Sequence, residues 1–287
     1  MLLLKTASLL KRHIEIMDTT LRDGEQTSGV SFSASEKLTI AQLLLTELKV
    51  DRIEIASARV SEGEFQAVKK ITSWAAANGF LDKVEVLTFV DGGTSVQWML
   101  DAGAKVMNLL TKGSLNHLKH QLKKTPEQHF KEIAETISLA KSNGLSVNVY
   151  LEDWSNGMRN SANYVFQYLD FLATQPVDRV LLPDTLGILT PYEVSDFIKQ
   201  LIAKYPNTHF DFHAHNDYDL GTANALEAVR CGVHGLHLTV NGMGERAGNA
   251  PLSSVLAVLH DHLQLKTKIK EDKINSVSRV VETYSGI

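Results

Sequence analysis

Eight short apolar runs, each followed by a longer stretch with helical spacing, recur along the 287-residue chain. The runs are His13–Met17, Arg52–Ile55, Val84–Thr88, Lys105–Leu110, Ser146–Leu151, Arg179–Pro183, His209–His213 and Leu236–Val240. The helical stretches fall near 34–48, 61–79, 94–102, 125–143, 158–173, 191–205, 218–231 and 251–265. Strands that are apolar on both faces belong to parallel sheets, and parallel neighbours need a crossover helix. Eight such units in a row predict an α/β fold, a single (β/α)8 TIM barrel over residues 1–265. An open doubly wound sheet would need a glycine-rich phosphate turn after its first strand, and this chain reads DTTLRDGEQ there. Ser33, Ser61 and Thr125 stand where N-caps should, and Gly144 and Gly232 where helices should stop. Two segments lie outside the eight units. The start, MLLLKTASLLKR, predicts a lead-in covering the barrel bottom. Residues 266–287 predict an extra helix ending at Gly286, the start of a missing accessory region.

Composition narrows the function. The net charge of −4 lacks the basic footprint of a nucleic-acid partner. No apolar stretch approaches the roughly 20 residues of a membrane span. Cys231 is the single cysteine, which excludes an internal disulfide and any multi-cysteine metal site within one chain. A lone thiol fits a reducing, cytoplasmic compartment.

In TIM barrels the chemistry gathers at the C-terminal ends of the strands. The seventh run ends HFDFHAHND, and alternation along a strand turns His213 and His215 to the same side, a good metal chelate. The first run ends in a turn holding Asp18, Arg22, Asp23, Glu25 and Gln26. Asp23 offers an oxygen ligand, and Arg22 can hold a polarised substrate oxygen. Glu54 lies inside an apolar run and needs a partner, for which Arg22 is the candidate. Asn148, Tyr150 and Glu152 share the lumen face of the fifth run; Glu152 is a candidate general base whose burial would raise its pKa. Thr185 can donate to a carboxylate, and Asp184 can cap the following turn. After the eighth run, Asn241, Glu245, Arg246 and Asn249 stand among Gly242, Gly244 and Gly248, and Asn249 could add an oxygen to the metal. His117, His120 and His129 read as solvated, and Cys231 as a small buried residue.

LRDGEQ, H-x-H-N-D and NGxGERAGN, in this order, resemble the DRE-TIM metallolyases, the group of isopropylmalate, homocitrate and citramalate synthases and hydroxymethylglutaryl-CoA lyase. The resemblance implies that Asp23, His213 and His215 bind a divalent ion (Mg2+, Mn2+ or Zn2+), with Asn249 a weaker ligand. It implies that Arg22, braced by Glu54, polarises the substrate carbonyl and that Thr185 binds the carboxylate of an α-keto acid. Strand four, VMNLLTKGS, lacks the histidine of isopropylmalate synthases. Leu87, Leu110 and Tyr150 match the pocket of citramalate synthases, which take pyruvate; Leu and Tyr fill volume and favour a methyl-sized substituent. Acetyl-CoA is the implied co-substrate, with Gln26, Asn241, Gly242 and Gly244 the candidates for gripping it, and a homodimer the implied assembly. Three alternatives stay open: 2-oxoisovalerate as substrate, a homocitrate-type reaction with Lys112 as the cation, and a barrel that binds metal and keto acid without efficient turnover. A metal-dependent hydrolase fits less well, because such barrels place their histidine pair after strand one.

Overall fold

The strands β1 (Glu15–Asp18), β2 (Arg52–Ser57), β3 (Val84–Phe89), β4 (Val106–Lys112), β5 (Ser146–Glu152), β6 (Arg179–Asp184), β7 (Phe210–Ala214) and β8 (Gly235–Leu238) pair in chain order, all parallel. β8 pairs with β1, with Glu15 opposite Gly235 and Asp18 opposite Leu238, so the sheet closes as a (β/α)8 TIM barrel. The computed structural model describes residues 13–265 and 267–287. The lead-in expected over residues 1–12 lies outside the described residues. Around the barrel run α1 (Ala34–Gln42), α2 (Glu62–Asn78), α3 (Thr94–Asp101), α4 (Leu115–His117), α5 (Pro126–Ser142), α6 (Trp154–Leu172), α7 (Pro191–Lys204), α8 (Gly221–Cys231), α9 (Leu252–Leu263) and α10 (Ile274–Ser285).

Local chemistry sets many of these boundaries. Ser33 with Glu36, Thr125 with Gln128 and Thr190 with Glu193 form reciprocal capping boxes, and Pro126 and Pro191 open α5 and α7. Side chains that point away from the lumen, such as Val147, Val149 and Leu151, are fully buried under the helices. The lumen carries a polar layer instead, beside a small apolar cluster of Met17, Leu87, Tyr150 and Leu181. Arg52 on β2 bridges Glu85 on β3 and Asp211 on β7, and Asn148 on β5 donates to Asn108 on β4 (2.8 Å). Buried charge is tolerated here because each group finds a partner of opposite sign or a hydrogen-bond partner.

Three features depart from the expected pattern. α4 and the π turn Leu118–Leu122 that continues it occupy a connection with no expected helix. α6 begins at Trp154 rather than 158 and breaks at Ser161 (φ −151°, ψ 43°). Its first turn packs on the turn after β4 so closely that a Cβ on Gly157 would sit 2.2 Å from the Gly113 carbonyl oxygen. His129, expected in solvent, is buried on α5, where Nε2 accepts from the Lys112 amide (3.2 Å). Among the described residues no helix is long and apolar enough to cross a membrane.

Candidate active site at the barrel mouth

Asp23 follows β1, and His213 and His215 lie at the end of β7, so three separate side chains meet at the C-terminal rim. His213 Nε2 is 3.0 Å from Asp23 Oδ2, His215 Nε2 is 3.8 Å from it, and the two Nε2 atoms are 3.2 Å apart. All three residues are buried, and their ligand atoms lie within 4.8 Å of one another. Burial opposes the charge on Asp23, but the adjacent Arg22 guanidinium and the His213 contact outweigh it and hold its carboxyl well below the usual range. Burial, with His213 beside it, pulls His215 down to about 3, so its imidazole is neutral at pH 7 and offers a lone pair. Asp23 Oδ1 and Asn249 Oδ1 are buried acceptors with no protein donor among the described residues. Two imidazoles, a carboxylate and an amide oxygen make a mixed N/O donor set that fits a divalent ion.

The glycine loop after β8 carries Asn249 to this point. His215 and Asn249 form an isolated antiparallel bridge, and Asn249 Nδ2 donates to the Met243 carbonyl (2.9 Å). A Cβ on Gly244 would fall 2.2 Å from Asn249 Nδ2, so the loop needs glycine there to let the amide approach. Arg246 locks three loops together: Nε donates to Asp217 Oδ1 (2.8 Å) and Nη2 to the Thr185 carbonyl (2.8 Å).

Arg22 lies beside the trio. Its Nε donates to Glu54 Oε2 (2.5 Å), and Glu54 Oε1 accepts from Asn108 Nδ2 (2.7 Å). Burial works against the guanidinium charge, but Asp23 and Glu54 more than offset it and hold Arg22 protonated. A cavity of about 320 Å³ opens above, lined by Arg22, Asp23, Gln26, Leu87, Leu110, Tyr150, Glu152, Thr185, His213 and His215 among others. The Tyr150 hydroxyl donates to His237 Nδ1 (2.9 Å), and His237 Nε2 donates to Asp211 (3.2 Å), which fixes the ring in the wall. Thr185 Oγ1 accepts from the Asp153 amide (2.9 Å), leaving its own hydrogen free to donate.

Other candidates stand elsewhere. Asp18 turns back to accept from the amide and hydroxyl of Thr20 (2.9 and 3.0 Å), and burial pushes its carboxyl up to about 7. Asn241, Gly242 and Gly244 line a separate hollow beside α10, where Asn241 Oδ1 accepts from Ser278 (2.7 Å). Gln26 is the one acetyl-CoA candidate that reaches the central cavity. Glu152 does reach it, but not in the apolar burial expected of it: the side chain is 21% exposed, and Lys112 pairs with it. Lys112 and Glu152 face each other in the β4–β5 register. His117, expected in solvent, is half-buried with Nδ1 3.7 Å from Glu152 and Nε2 3.4 Å from Asp153. No local sequence signal marks these partnerships, because the residues meet only once the strands are in register.

Known proteins are similar to this chain in sequence and in fold. The HMGL-like family profile matches residues 13–281. The chain is 36% identical over 278 residues to a probable 2-isopropylmalate synthase of Ignicoccus hospitalis, covering 97% of this chain and 67% of that protein. It is 37% identical over 269 residues to an (R)-citramalate synthase of Methanocaldococcus jannaschii, covering 93% and 52%. It is 36% identical over 280 residues to a homocitrate synthase of Saccharolobus solfataricus, covering 96% and 58%. The chain thus spans about half to two thirds of the length of these relatives, and identity does not separate the three synthases. The crystal structure of hydroxymethylglutaryl-CoA lyase from Pseudomonas aeruginosa superposes with a TM-score of 0.78 at 17% identity, covering 97% of this chain and 95% of that one, a likeness of fold. With a matching profile over nearly its whole length and synthases at this identity, the chain belongs to the HMGL-like, or DRE-TIM, family.

Proposed function

We propose that the chain catalyses a Claisen-type condensation of acetyl-CoA with an α-keto acid, and that the keto acid is pyruvate, giving citramalate and free CoA. The observation that supports pyruvate is the cavity wall. Leu87, Leu110 and Tyr150 cluster with Met17 and Leu181, and the His237 hydrogen bond keeps the Tyr150 ring from swinging aside for a branched substituent. A homocitrate-type reaction needs a cation for a distal carboxylate, and Lys112 is already paired with Glu152.

A divalent ion held by Asp23, His213 and His215, with Asn249 as a further oxygen, supplies Lewis acidity. Arg22, oriented by Glu54, stabilises the negative charge that develops on the keto oxygen. Thr185 donates its free hydrogen to the substrate carboxylate. Glu152 takes a proton from the acetyl methyl group, whose C–H electron pair becomes the nucleophile for the keto carbon; the alkoxide so formed takes up a proton, and water then cleaves the thioester C–S bond of the condensed acyl-CoA to give citramalate and the CoA thiol.

The test is thiol release from acetyl-CoA with purified chain, Mn2+ or Mg2+, and pyruvate, 2-oxoisovalerate or 2-oxoglutarate. Pyruvate is expected to be preferred by at least about 10–200-fold, the range in which a pocket discriminates one methylene. Turnover of 2-oxoisovalerate with pyruvate inert would reassign the chain to the isopropylmalate reaction.

A further inference from the structure

Lys37 on α1 is wholly buried, yet it lines no part of the central cavity. Its ammonium lies 2.6 Å from Glu25 Oε2 and 2.6 Å from Glu64 Oε1. It also reaches the Leu21 carbonyl at 3.2 Å and the Ile55 carbonyl at 3.5 Å. Those two carbonyls have a particular place in the chain. Leu21 immediately precedes Arg22, and Ile55 immediately follows Glu54. One ammonium therefore ties the backbone on both sides of the Arg22–Glu54 pair. Through Glu25, whose other oxygen accepts from the Phe32 amide (2.8 Å), it also fastens the far end of the turn that carries Asp23.

A buried charge earns its place only when every partner is present. Removing the ammonium leaves Glu25 and Glu64 close together without their counter-ion and takes a donor from the Leu21 and Ile55 carbonyls. The turn between β1 and α1 then has reason to move. We infer that Lys37 is a positioning residue that sets this turn, holding Asp23 in the metal-binding trio and Arg22 against Glu54. The inference rests on the metal-site reading of Asp23, His213 and His215.

The experiment is titration of the full chain with Mn2+, followed by calorimetry and by the electron paramagnetic resonance signal of free Mn2+. Wild type, Lys37→Met and Ile133→Ala are compared. Ile133 is a fully buried residue of α5, following β4 on the far side of the closed barrel from β1, and its truncation lowers stability without touching the turn. Lys37→Met is expected to bind Mn2+ about 10–100-fold more weakly, the usual cost of losing a group that orients a ligand. Ile133→Ala is expected to keep wild-type affinity. A folded Lys37→Met with wild-type affinity overturns the inference, as does an equal loss in Ile133→Ala, which would mark a general loosening. Should Lys37→Met fail to fold, Glu25→Gln removes one corner of the brace while keeping the lysine. It is expected to weaken Mn2+ several-fold, and an unchanged affinity overturns the inference. A wild-type chain that binds no Mn2+ overturns both this inference and the metal-site reading, and the first titration distinguishes that case.

Discussion

Arg22 shows how a single residue can join two duties. Its Nε is engaged with Glu54, while Nη1 lies 3.4 Å from the carboxylate of Asp23, so the guanidinium fork spans the brace and the Asp23–His213–His215 trio. A lysine at this position would lack the planar fork whose fixed geometry aims one donor at each carboxylate. Arg22→Ala is expected to lower kcat by about 10²–10³, the cost of removing one stabiliser of a developing oxyanion. Glu54 acts through Arg22, so Glu54→Gln should cost less, and the double variant should be no slower than Arg22→Ala alone. Thiol-release rates at saturating substrate measure this, and strictly additive losses would show that Glu54 has a separate role. The Arg22–Glu54 pair and the convergence of Asp23 with His213 and His215 were legible in the sequence. An acid inside an apolar strand demands a partner, and alternation plus the strand-end rule places the imidazoles. The Lys112–Glu152 pair and the burial of His129 were not legible, because they depend on strand register and helix rotation.

At the scale of elements, the strands were readable because burial on both faces writes a continuous apolar run, and several helix starts because a capping box is local. The segments that escaped are short or irregular: α4 with its π turn, and the first turn of α6, which precedes the kink at Ser161. Their shape answers to packing against neighbouring turns, which no window of sequence contains. The loop after β8 is intermediate. Its glycines announce a close approach, but only the fold reveals that the approaching group is the Asn249 amide. Gly244→Ala must displace that amide or the loop itself. Mn2+ affinity is expected to fall about 10-fold, by the logic of a displaced ligand, and stability by about 1–3 kcal/mol, as for other overpacked sites. Calorimetric Mn2+ titration and thermal unfolding check the two effects, and wild-type affinity would remove Asn249 from the ligand set.

For the molecule as a whole, the polar interior couples folding to pH. Burial lowers His129 from 6.5 to about 4 and His237 from 6.5 to about 3. In each case the unfolded chain takes up a proton at a pH where the folded one does not. The stabilisation is therefore complete above about pH 6.5 and drains away as the pH falls toward the folded values. His215, lowered by burial to about 3, acts in the same direction in the metal-free protein. Asp18 opposes them: its carboxyl rises from 3.8 to about 7, so it favours the folded state at low pH and loses that contribution as the pH rises. Asp184 and Glu64, also raised by burial, side with Asp18, while Asp23 and Asp211, held below the usual range by cationic partners, side with the histidines, so the balance is a net loss on acidification. Each of the four numbered shifts is worth on the order of 3–5 kcal/mol over its full range, so metal-free protein should lose a few kcal/mol between pH 6.5 and 4. Urea unfolding across that range measures it. His129→Gln, which keeps an acceptor for the Lys112 amide, should make the loss shallower, and Asp18→Asn should make it steeper by removing an opposing group. Stability that stays level or rises on acidification would mean that the buried histidines reach solvent before the barrel opens.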